Sequence, residues 1–357
     1  MKIISCGNSA PSSTLSKNTS EICSRHVLAF GKSIQQKISS LIIGVISTGG
    51  LGSIIIEQLM RLFPKKLIFV DIDRVELSNL NRLVAATIVD AKLKTSKTDL
   101  ACRNILEFNP DQKVLPIHGD FLERKNQKKF TECDFIFGAS DSNAVRIAAN
   151  RLCLTHGIPY LDCGVGAVVD DGILQACGGQ VIKILPDSGF CLHCSEMFST
   201  EHAMDELLSD EERERQEQQG YIRGTLVTAP QVYSLNMTVA SQAVWLFMRM
   251  IIGEAIDFDG IAVDAKDFIS YTWKESTKIS NDCPTCGKEG IVFAGDDADL
   301  LCKDEPEIDV EGIGMHISTT EEGTQKVAAV VERELPIHSY LNLIFGQDMG
   351  NRFDFWM

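Results

Sequence analysis

The chain lacks three features that would assign it to common classes of protein. It has no excess of positive charge, because 49 Asp and Glu outnumber 34 Lys and Arg and give a net charge of −15. Such an acidic chain is a poor partner for nucleic acid or for an anionic membrane surface. No stretch approaches the roughly 18–20 continuous apolar residues that span a membrane, and the polar N-terminus has no secretory signal. We therefore expect a cytoplasmic protein without nucleic-acid or membrane partners.

Disulfide bonds are not expected either, although the chain has 12 cysteines. In a chain of this length without a secretory signal, cysteines indicate reduced thiols and metal ligands. Two C-x-x-C pairs stand out, Cys191 with Cys194 and Cys283 with Cys286. Paired thiolates on two turns suit a tetrahedral, structural Zn²⁺ site with four sulfur ligands. The alternative is two unrelated redox or free pairs.

The order of the patterns predicts an α/β fold, and no internal repeat is present. Strands alternate with helices up to Asp162, which predicts a Rossmann-like, doubly wound, mostly parallel sheet. A glycine-rich alternating segment after Asp162 predicts an antiparallel extension of that sheet. Helical patterns over residues 21–39 and 90–108 predict one helix each. The predicted divisions are an N-terminal arm and helix (1–40), a main domain (41–290) with a charged crossover at about 200–230 that we expect to form a solvated helix, and an acidic tail (291–357).

A β-α-β unit near the start of the main domain predicts a nucleotide site. An apolar strand enters a turn that contains Gly49, Gly50 and Gly52, a helix follows, and a second strand ends in Asp71. In such a unit, the amides at the helix N-terminus bind phosphates, and an acidic residue about 20 positions past the glycines binds a ribose hydroxyl. A structural cap at the end of the strand is the alternative role for Asp71.

Four motifs occur together in a specific order. They are S-T-G-G-L-G from Ser47, D-I-D-R-V-E-L-S-N-L-N-R from Asp71, a helix that ends in Asn109-Pro110, and F-G-A-S-D-S-N from Phe137. This combination resembles the ThiF/MoeB-like adenylating enzymes, which include the catalytic domain of ubiquitin-activating enzymes. A hydride-transfer enzyme with the same glycine turn has no role for the D-I-D-R-V-E-L-S-N-L-N-R block.

The resemblance covers about residues 24–290, so the main domain is identified as a ThiF-like adenylation domain. Y-I-R-G from Tyr221 and A-P-Q-V-Y-S-L-N-M from Ala229 resemble bacterial members. Those members occur beside ubiquitin-conjugating-like and deubiquitinase-like proteins.

The resemblance implies ATP-dependent adenylation of the C-terminal carboxylate of a ubiquitin-like protein, with release of pyrophosphate. Such chemistry needs positioning and charge neutralisation more than it needs a base. The implied cofactors are ATP, Mg²⁺ and Zn²⁺. The implied partners are a ubiquitin-like protein or a peptide with a C-terminal carboxylate, a conjugating enzyme, and a second copy of the chain in a homodimer.

The resemblance also assigns roles to residues around the phosphates. Asn79 and Arg82 contact the triphosphate, and Lys97 neutralises charge that develops on the α-phosphate. Lys94 competes with Lys97 for this role, because the position rests on counting back from Asn109. The alternative for Arg82 and Lys97 is a role as ordinary surface charges.

Three more residues complete the implied site. Asp141 holds Mg²⁺ through oxygen ligation, and Ser142 contacts the nucleotide beside it. Arg25, in S-R-H-V-L, reaches the triphosphate of the partner subunit. A helix N-cap is the alternative role for Asp141.

Two departures from the family pattern are visible. Ser47 stands where the first glycine of G-x-G-G-x-G is usual, and a serine fits there only if φ stays negative or the strand ends differently. No cysteine lies between Cys194 and Cys283, where activating enzymes usually carry a thioester-forming thiol. Cys163, Cys177 and Cys302 are the remaining candidates, and for Cys163 a buried structural thiol is favoured.

The missing thiol leaves two other functions open. One is adenylation of a ribosomal peptide or of a sulfur-carrier protein, without a thioester step. The other is a non-catalytic scaffold that binds partners through its acidic segments. Asp71, Arg82 and Asp141 argue against the scaffold, since it has no use for them.

Overall fold

The structure is a computed structural model of the chain. It describes residues 21–303 except 187, 196–202, 204–205, 208–230, 275–280 and 299. The predictions for the N-terminal arm, for the Tyr221 segment and for the tail after residue 303 lie outside the described residues.

Five parallel strands form one side of an eight-stranded sheet, in the spatial order β3-β2-β1-β4-β5. The central strand is buried at every position except its first, as expected for a strand with helices on both faces. The carboxyl ends of β1, β2 and β4 meet at one edge, where the predicted nucleotide residues follow. The strands are β1 (Ile42–Ile46), β2 (Lys66–Asp71), β3 (Val114–His118), β4 (Phe135–Gly138) and β5 (Tyr160–Asp170).

Three antiparallel strands extend the sheet beyond β5. They are β6 (Ile173–Ile184), β7 (Gly260–Asp264) and β8 (Ile269–Trp273). The mixed sheet confirms the predicted fold class.

Helices cover both faces of the sheet and enclose two large apolar clusters. One cluster packs beneath α3, α5 and α9, and the other beneath α6, α7 and α8. The helices are α1 (Ser24–Phe30), α2 (Lys32–Ile38), α3 (Gly50–Met60), α4 (Ile88–Leu93), α5 (Lys97–Phe108), α6 (Arg124–Phe130), α7 (Asn143–Thr155), α8 (Leu192–Ser195) and α9 (Tyr233–Ile252).

Among the described residues, α9 alone has the length and hydropathy of a membrane-spanning helix. Half of its apolar window is buried within the protein. Phe247 stacks edge-on against Phe135 and Phe137 of β4, with ring centroids 4.9 and 5.6 Å apart. α9 is therefore a core helix that packs on the sheet.

Two helices predicted as single elements are divided. The pattern over residues 21–39 breaks at Gly31, whose φ of 87° ends α1. The pattern over residues 90–108 breaks where Lys94 takes a left-handed conformation at the end of α4. Ser96 then caps α5 by accepting a hydrogen bond from the Asp99 amide at 3.0 Å. In both places a local cap ends the helix inside a segment that was predicted as one helix.

Two segments are partly packed, the crossover that was predicted to form a solvated helix and the acidic tail. In the charged crossover, Ala203 is buried and Glu206 bonds to the start of α7, so these two residues do not face solvent as expected. In the predicted tail, Leu301 is buried and its carbonyl accepts from Gln127 Nε2 at 2.6 Å. Both segments thus begin on the body of the protein.

Candidate functional site

The glycine turn joins β1 to α3 at the centre of the sheet edge. Gly49 is the N-cap of α3, which begins at Gly50 and is 11 residues long. A Cβ at Gly52 would lie 2.0 Å from the Ser47 carbonyl oxygen, so only glycine allows the helix to approach the turn this closely. The first-turn amides of α3 therefore point out of a compact turn, which is the arrangement that binds phosphates.

Ser47 adopts a φ of +71°, so the first of the two expected ways for a serine to fit, a negative φ, does not occur. β1 ends at Ile46, and Ser47 carries the left-handed turn itself. Its hydroxyl donates to Asp71 Oδ2 at 3.2 Å and accepts from the Gly49 amide at 3.4 Å. These two hydrogen bonds offset part of the strain that a non-glycine residue has in this region.

Asp71 is buried at the end of β2 and faces the turn. Its Oδ2 accepts from the Thr48 amide at 2.6 Å and from Thr48 Oγ1 at 3.2 Å, and its Oδ1 accepts from the Asp73 amide at 2.9 Å. The carboxylate thus fixes the turn to β2. The predicted ribose contact of Asp71 stays a prediction.

Arg82 and Asn79 follow β2 in a short 3₁₀ turn (Leu77–Asn79). Arg82 passes beside the helix start, because a Cβ at Gly50 would lie 3.0 Å from Arg82 Cδ. Its guanidinium donates to the Ser78 carbonyl at 2.7 Å. Asn79 is buried, and its Oδ1 accepts from the Glu76 amide at 3.1 Å. The structure thus places Arg82 at the glycine turn. The hydrogen bond of Asn79 stabilises the segment that carries Arg82.

Lys97 is the first residue of α5, and it reaches back towards β2. Its ammonium pairs with the Asp73 carboxylate at 2.7 Å, with 12% of the side chain exposed. Lys94 instead forms an exposed pair with Glu76 at 3.3 Å. Lys97 also lines a small cavity beside the turn, which Lys94 does not. The cavity is lined by Thr48, Ser53, Ile56, Leu83, Val84, Lys97, Leu100, Ala101 and Asn104.

Asp141 follows β4 in the turn next to the glycine turn. The two turns touch, since a Cβ at Gly52 would lie 3.4 Å from Ala139 Cβ. Asp141 is exposed and makes no hydrogen bond or ion pair with the residues that the structure describes. It is not the N-cap of α7, because Ser142 has that role and accepts from the Val145 amide at 3.2 Å.

Ser142 has a second partner that sequence reasoning missed. It donates to Glu206 Oε2 at 2.5 Å, and the same carboxylate accepts from the Asn143 and Ala144 amides at 3.2 and 3.0 Å. A negative charge here is favoured by the positive end of α7. In this structure the crossover therefore contacts the predicted nucleotide ligand Ser142. Glu206 lies in a run of charged residues that gave no sign of this contact.

Arg25 lies apart from these residues. It is exposed on α1, a helix that packs against α2. Its predicted contact with the triphosphate of a partner subunit stays a prediction.

The four cysteines of the two C-x-x-C pairs converge, with all four sulfur atoms within 4.8 Å of one another. The Sγ atom of Cys191 lies 3.8 Å from the Sγ atoms of Cys194 and Cys283, and the Sγ atoms of Cys194 and Cys286 are 3.3 Å apart. Sulfurs about 2.3 Å from a tetrahedral zinc ion would be about 3.8 Å apart. The cluster therefore fits Zn²⁺ and joins α8 to the segment after β8.

The other described cysteines do not resemble reactive nucleophiles. All are buried except Cys177, which is half-buried. Burial raises the pKa of Cys163 well above its ordinary value, and burial also raises the pKa of Cys177. Cys302 is buried against the core. Thiolates form readily in exposed, electropositive surroundings, and none of these three positions offers them.

A buried polar cluster lies where the carboxyl end of β4 pairs with the first residues of β5. Asp162 accepts from Arg146 Nη2 at 2.7 Å and from the Tyr160 hydroxyl at 2.8 Å. Burial raises the pKa of Tyr160 well above its ordinary value. Although burial alone would lower the pKa of Arg146, the Asp162 carboxylate raises it. The hydrogen bonds from Arg146 and Tyr160 to Asp162 anchor α7 to β5.

Comparisons with known proteins agree with this geometry. The ThiF family model matches residues 23–286. SUMO-activating enzyme subunit 2 of Dictyostelium discoideum is 27% identical over 176 residues, which are 49% of this chain and 25% of that protein. SAMP-activating enzyme E1 of Haloferax volcanii is 27% identical over 270 residues, which are 75% of this chain and 89% of that protein. The match thus spans a quarter of the first relative and most of the second.

Solved structures show the same fold. E. coli MccB is 18% identical in crystal structures with MccA-N7isoASN and with ATP, with TM-scores of 0.57 and 0.56. The superpositions cover 74% of this chain and 75% and 74% of the MccB chains. The family match includes the glycine turn, Asp71, Asp141 and the four clustered cysteines. The family match confirms the resemblance predicted from the motifs, and the chain belongs to the ThiF family.

Proposed function

We propose that this protein adenylates the C-terminal carboxylate of a ubiquitin-like protein, as the activating enzyme of a bacterial ubiquitin-like conjugation pathway. The observation that carries the proposal is the contact between the turn that bears Asp141 and the glycine turn of α3. An unpaired carboxylate is thereby held next to a phosphate-binding helix start. Hydride transfer does not require this arrangement, whereas transfer of a nucleotidyl group from a metal-bound triphosphate requires it.

The reaction joins the substrate carboxylate to ATP. A carboxylate oxygen attacks the α-phosphorus, a bond to phosphorus forms, and the bond to the departing pyrophosphate breaks. Negative charge develops on the α-phosphate and on the leaving group. The α3 amides, Arg82 and Lys97 would stabilise this charge, while Asp71 would orient the ribose.

Asp141 would hold Mg²⁺, and its exposed, unpaired carboxylate fits a hard cation that prefers oxygen ligands. When bound, the ion would neutralise charge on the phosphates. The clustered cysteines would hold Zn²⁺ in a structural role, since a closed four-sulfur site leaves no open position for chemistry.

The proposed assembly is a cytoplasmic homodimer. Arg25 is exposed on α1 and would complete the site of a partner subunit. A conjugating enzyme would receive the activated modifier. The proposed division of the chain is an adenylation domain over residues 41–290, preceded by the arm and followed by the acidic tail.

A second candidate is adenylation of a peptide or of a sulfur-carrier protein without a thioester step. The burial of the described thiols outside the cysteine cluster favours it. The MccB structures with MccA-N7isoASN and with ATP share the fold. This candidate keeps every role given above and changes only the substrate and the step after adenylation.

Exchange of labelled pyrophosphate into ATP tests the proposal. Exchange should require a ubiquitin-like protein that ends in Gly-Gly, and it should fall at least about 100-fold in Asp141→Ala. Asp267→Ala, which removes an exposed carboxylate from the β7–β8 turn, is the matched control and should exchange normally. An adduct of the enzyme and the modifier that is seen on a non-reducing gel and is lost with a reducing agent would identify a thioester.

The results separate the candidates. Exchange that is supported by short peptides and not by the protein would replace the first candidate with the second. Exchange that persists in Asp141→Ala would refute the metal role of that residue. Binding of ATP without exchange for either type of substrate would contradict both candidates.

A further inference from the structure

Asn236 is a fully buried amide with no hydrogen-bond partner. It lies in the first turns of α9 and has no exposed surface. Neither Nδ2 nor Oδ1 has a partner among the described residues. A buried amide left unpaired is costly, because its hydrogen bonds to water are lost and not replaced. Such a group in a folded protein requires an explanation.

The Asn236 side chain faces the start of α3. A Cβ at Gly50 would lie 2.5 Å from Asn236 Nδ2 and 3.0 Å from Arg82 Cδ. The amide and the arginine side chain therefore flank the same backbone position. Gly50 is required here because any larger residue would displace one of them.

This part of the site offers hydrogen-bond donors in excess. The amides at the start of α3 have no partner within the helix, Arg82 is a cation, and the Asn236 NH₂ group adds two more donors. No carboxylate of the described residues bonds to Asn236 or Arg82. Donors that converge on a helix start without an acceptor form an anion site.

The position of Asn236 selects one end of the nucleotide. Asp71, the predicted ribose ligand, bonds to Ser47 and Thr48 at the beginning of the turn. Asn236 lies two residues further along, at Gly50. A second contact holds the start of α9 there, since Asn81 Nδ2 donates to the Gln231 carbonyl at 3.3 Å. A nucleotide with its ribose at Asp71 would extend its phosphates towards Asn236.

We propose that Asn236 is a nucleotide-binding residue whose side-chain amide donates to the β- or γ-phosphate of ATP, together with Arg82. The proposal rests on the function proposed above, and it adds a ligand from α9 to a site otherwise built from the first half of the sheet. Nδ2 donates to a phosphate oxygen, and Oδ1 accepts from Arg82, whose side chain passes the same point. ATP binding would thus pair an amide that is unpaired in the free protein.

The test compares the apo stability and the nucleotide affinity of Asn236→Leu with those of wild type. Leucine has the same number of side-chain heavy atoms and the same branching at Cγ, and it removes the unpaired amide. The melting temperature without nucleotide should stay the same or rise. The dissociation constant for MgATP, measured by calorimetry on the full chain, should increase about 10- to 100-fold. That for AMP, which lacks the β- and γ-phosphates, should change by less than about twofold.

Asn150→Leu is the matched control. Asn150 is equally buried on α7, but its Oδ1 accepts from the Leu192 amide at 3.1 Å. Its loss should lower the melting temperature and leave MgATP affinity unchanged, which is the opposite pattern. Asn236→Ala serves as a second variant if leucine prevents folding.

Three results would overturn the proposal. A lower melting temperature with unchanged MgATP affinity would show that Asn236 is structural. Equal losses of affinity for MgATP and AMP would place the contact outside the terminal phosphates. Failure of wild type to bind either nucleotide would refute the proposed function itself, and the role of Asn236 with it.

Discussion

At the scale of single residues, Ser47 shows how a site tolerates an unfavourable backbone conformation. The left-handed region costs about 1–2 kcal/mol for a residue with a Cβ. The hydrogen bond from its hydroxyl to Asp71 recovers part of this cost. Glycine would remove both the strain and the bond, whereas a β-branched side chain would raise the strain and lose the bond.

We therefore expect two variants at Ser47 to differ in stability. The free energy of unfolding of Ser47→Gly should lie within about 1 kcal/mol of that of wild type, since the relief of strain offsets the lost hydrogen bond. Ser47→Val should be destabilised by about 2–3 kcal/mol. Urea denaturation measures both free energies of unfolding. Equal values for glycine and valine would mean that φ at this residue does not limit stability.

The predicted site residues that the structure brings together are those whose partners are near in sequence or at adjacent strand ends. Asp71, Arg82 and Lys97 follow this rule. Glu206 and Asn236 were missed because they come from the crossover and from the helix after it, far along the chain from the other site residues. The α7 amides that Glu206 meets come from residues 143 and 144, and sequence spacing says nothing about so distant a pairing.

At the scale of elements, the contact between α3 and the turn before it depends on one glycine. A methyl group at Gly52 would meet the Ser47 carbonyl oxygen at 2.0 Å, a distance that backbone atoms cannot relieve without moving the helix. At Gly49, φ is −68° and the nearest atom to an added Cβ is 3.5 Å away.

Gly52→Ala should therefore lower the free energy of unfolding by about 3 kcal/mol or more. Gly49→Ala should change it by less than about 1 kcal/mol. Thermal unfolding of the two variants side by side is the measurement. A Gly52→Ala protein as stable as the Gly49→Ala protein would show that the helix and the turn can separate without cost.

A second element-scale feature is the ion pair that joins α4 to α5. Arg103 Nη1 donates to Asp90 Oδ1 at 2.6 Å. This hydrogen bond holds the pKa of Asp90 well below its usual range, and the Thr87 cap lowers it further. Because the folded pKa is depressed, the stabilisation is complete above about pH 4, the unfolded pKa, and is lost as the pH falls below it.

Arg103→Met should flatten the dependence of unfolding free energy on pH between about pH 4 and pH 2. Lys66→Met removes the more exposed pair with Glu132 and serves as the control. Its acid dependence should follow that of wild type. If the unfolding free energies of wild type and Arg103→Met depended on pH in the same way, the result would contradict the stabilising role of the pair.

The elements themselves were largely predictable, because apolar strands and helix stop signals lie within short windows. The division of residues 90–108 was missed, although its cause is local. No apolar residue lies between Leu93 and Leu100, and the predicted helix was extended across a helix end and a new cap. Ser96 followed three residues later by Asp99 is a capping-box pattern that could have marked the start of α5.

At the scale of the whole molecule, the cysteine cluster ties the segment before the crossover to the segment after β8. Cys191 and Cys283 are 92 residues apart in sequence and 3.8 Å apart at sulfur. A metal bound only by the folded state adds its binding free energy to folding. The order and spacing of the C-x-x-C pairs predicted this cluster, because the chemistry of four thiolates is specific.

Removing the metal should destabilise the protein without altering the nucleotide contacts directly. Purified protein should release about one equivalent of zinc, and Cys286→Ser should lower the free energy of unfolding by several kcal/mol. Cys177→Ser, a half-buried thiol outside the cluster, should change it by less than about 1 kcal/mol. Metal analysis with thermal unfolding checks both. Equal stability before and after strong chelation would rule out a structural metal.

The pairing of β6 with β7 has a consequence for chain continuity. β6 precedes the crossover and β7 follows it, yet they pair from Gly178 with Asp264 to Ile182 with Gly260. α9 packs on α3 and β6 across the same division, and the cysteine cluster spans it as well. The two parts of the main domain are thus joined by a sheet, a helix interface and a cysteine cluster. A peptide-bond break between residues 208 and 230 would leave two fragments that share one core and the predicted nucleotide site, because these contacts hold the domain together.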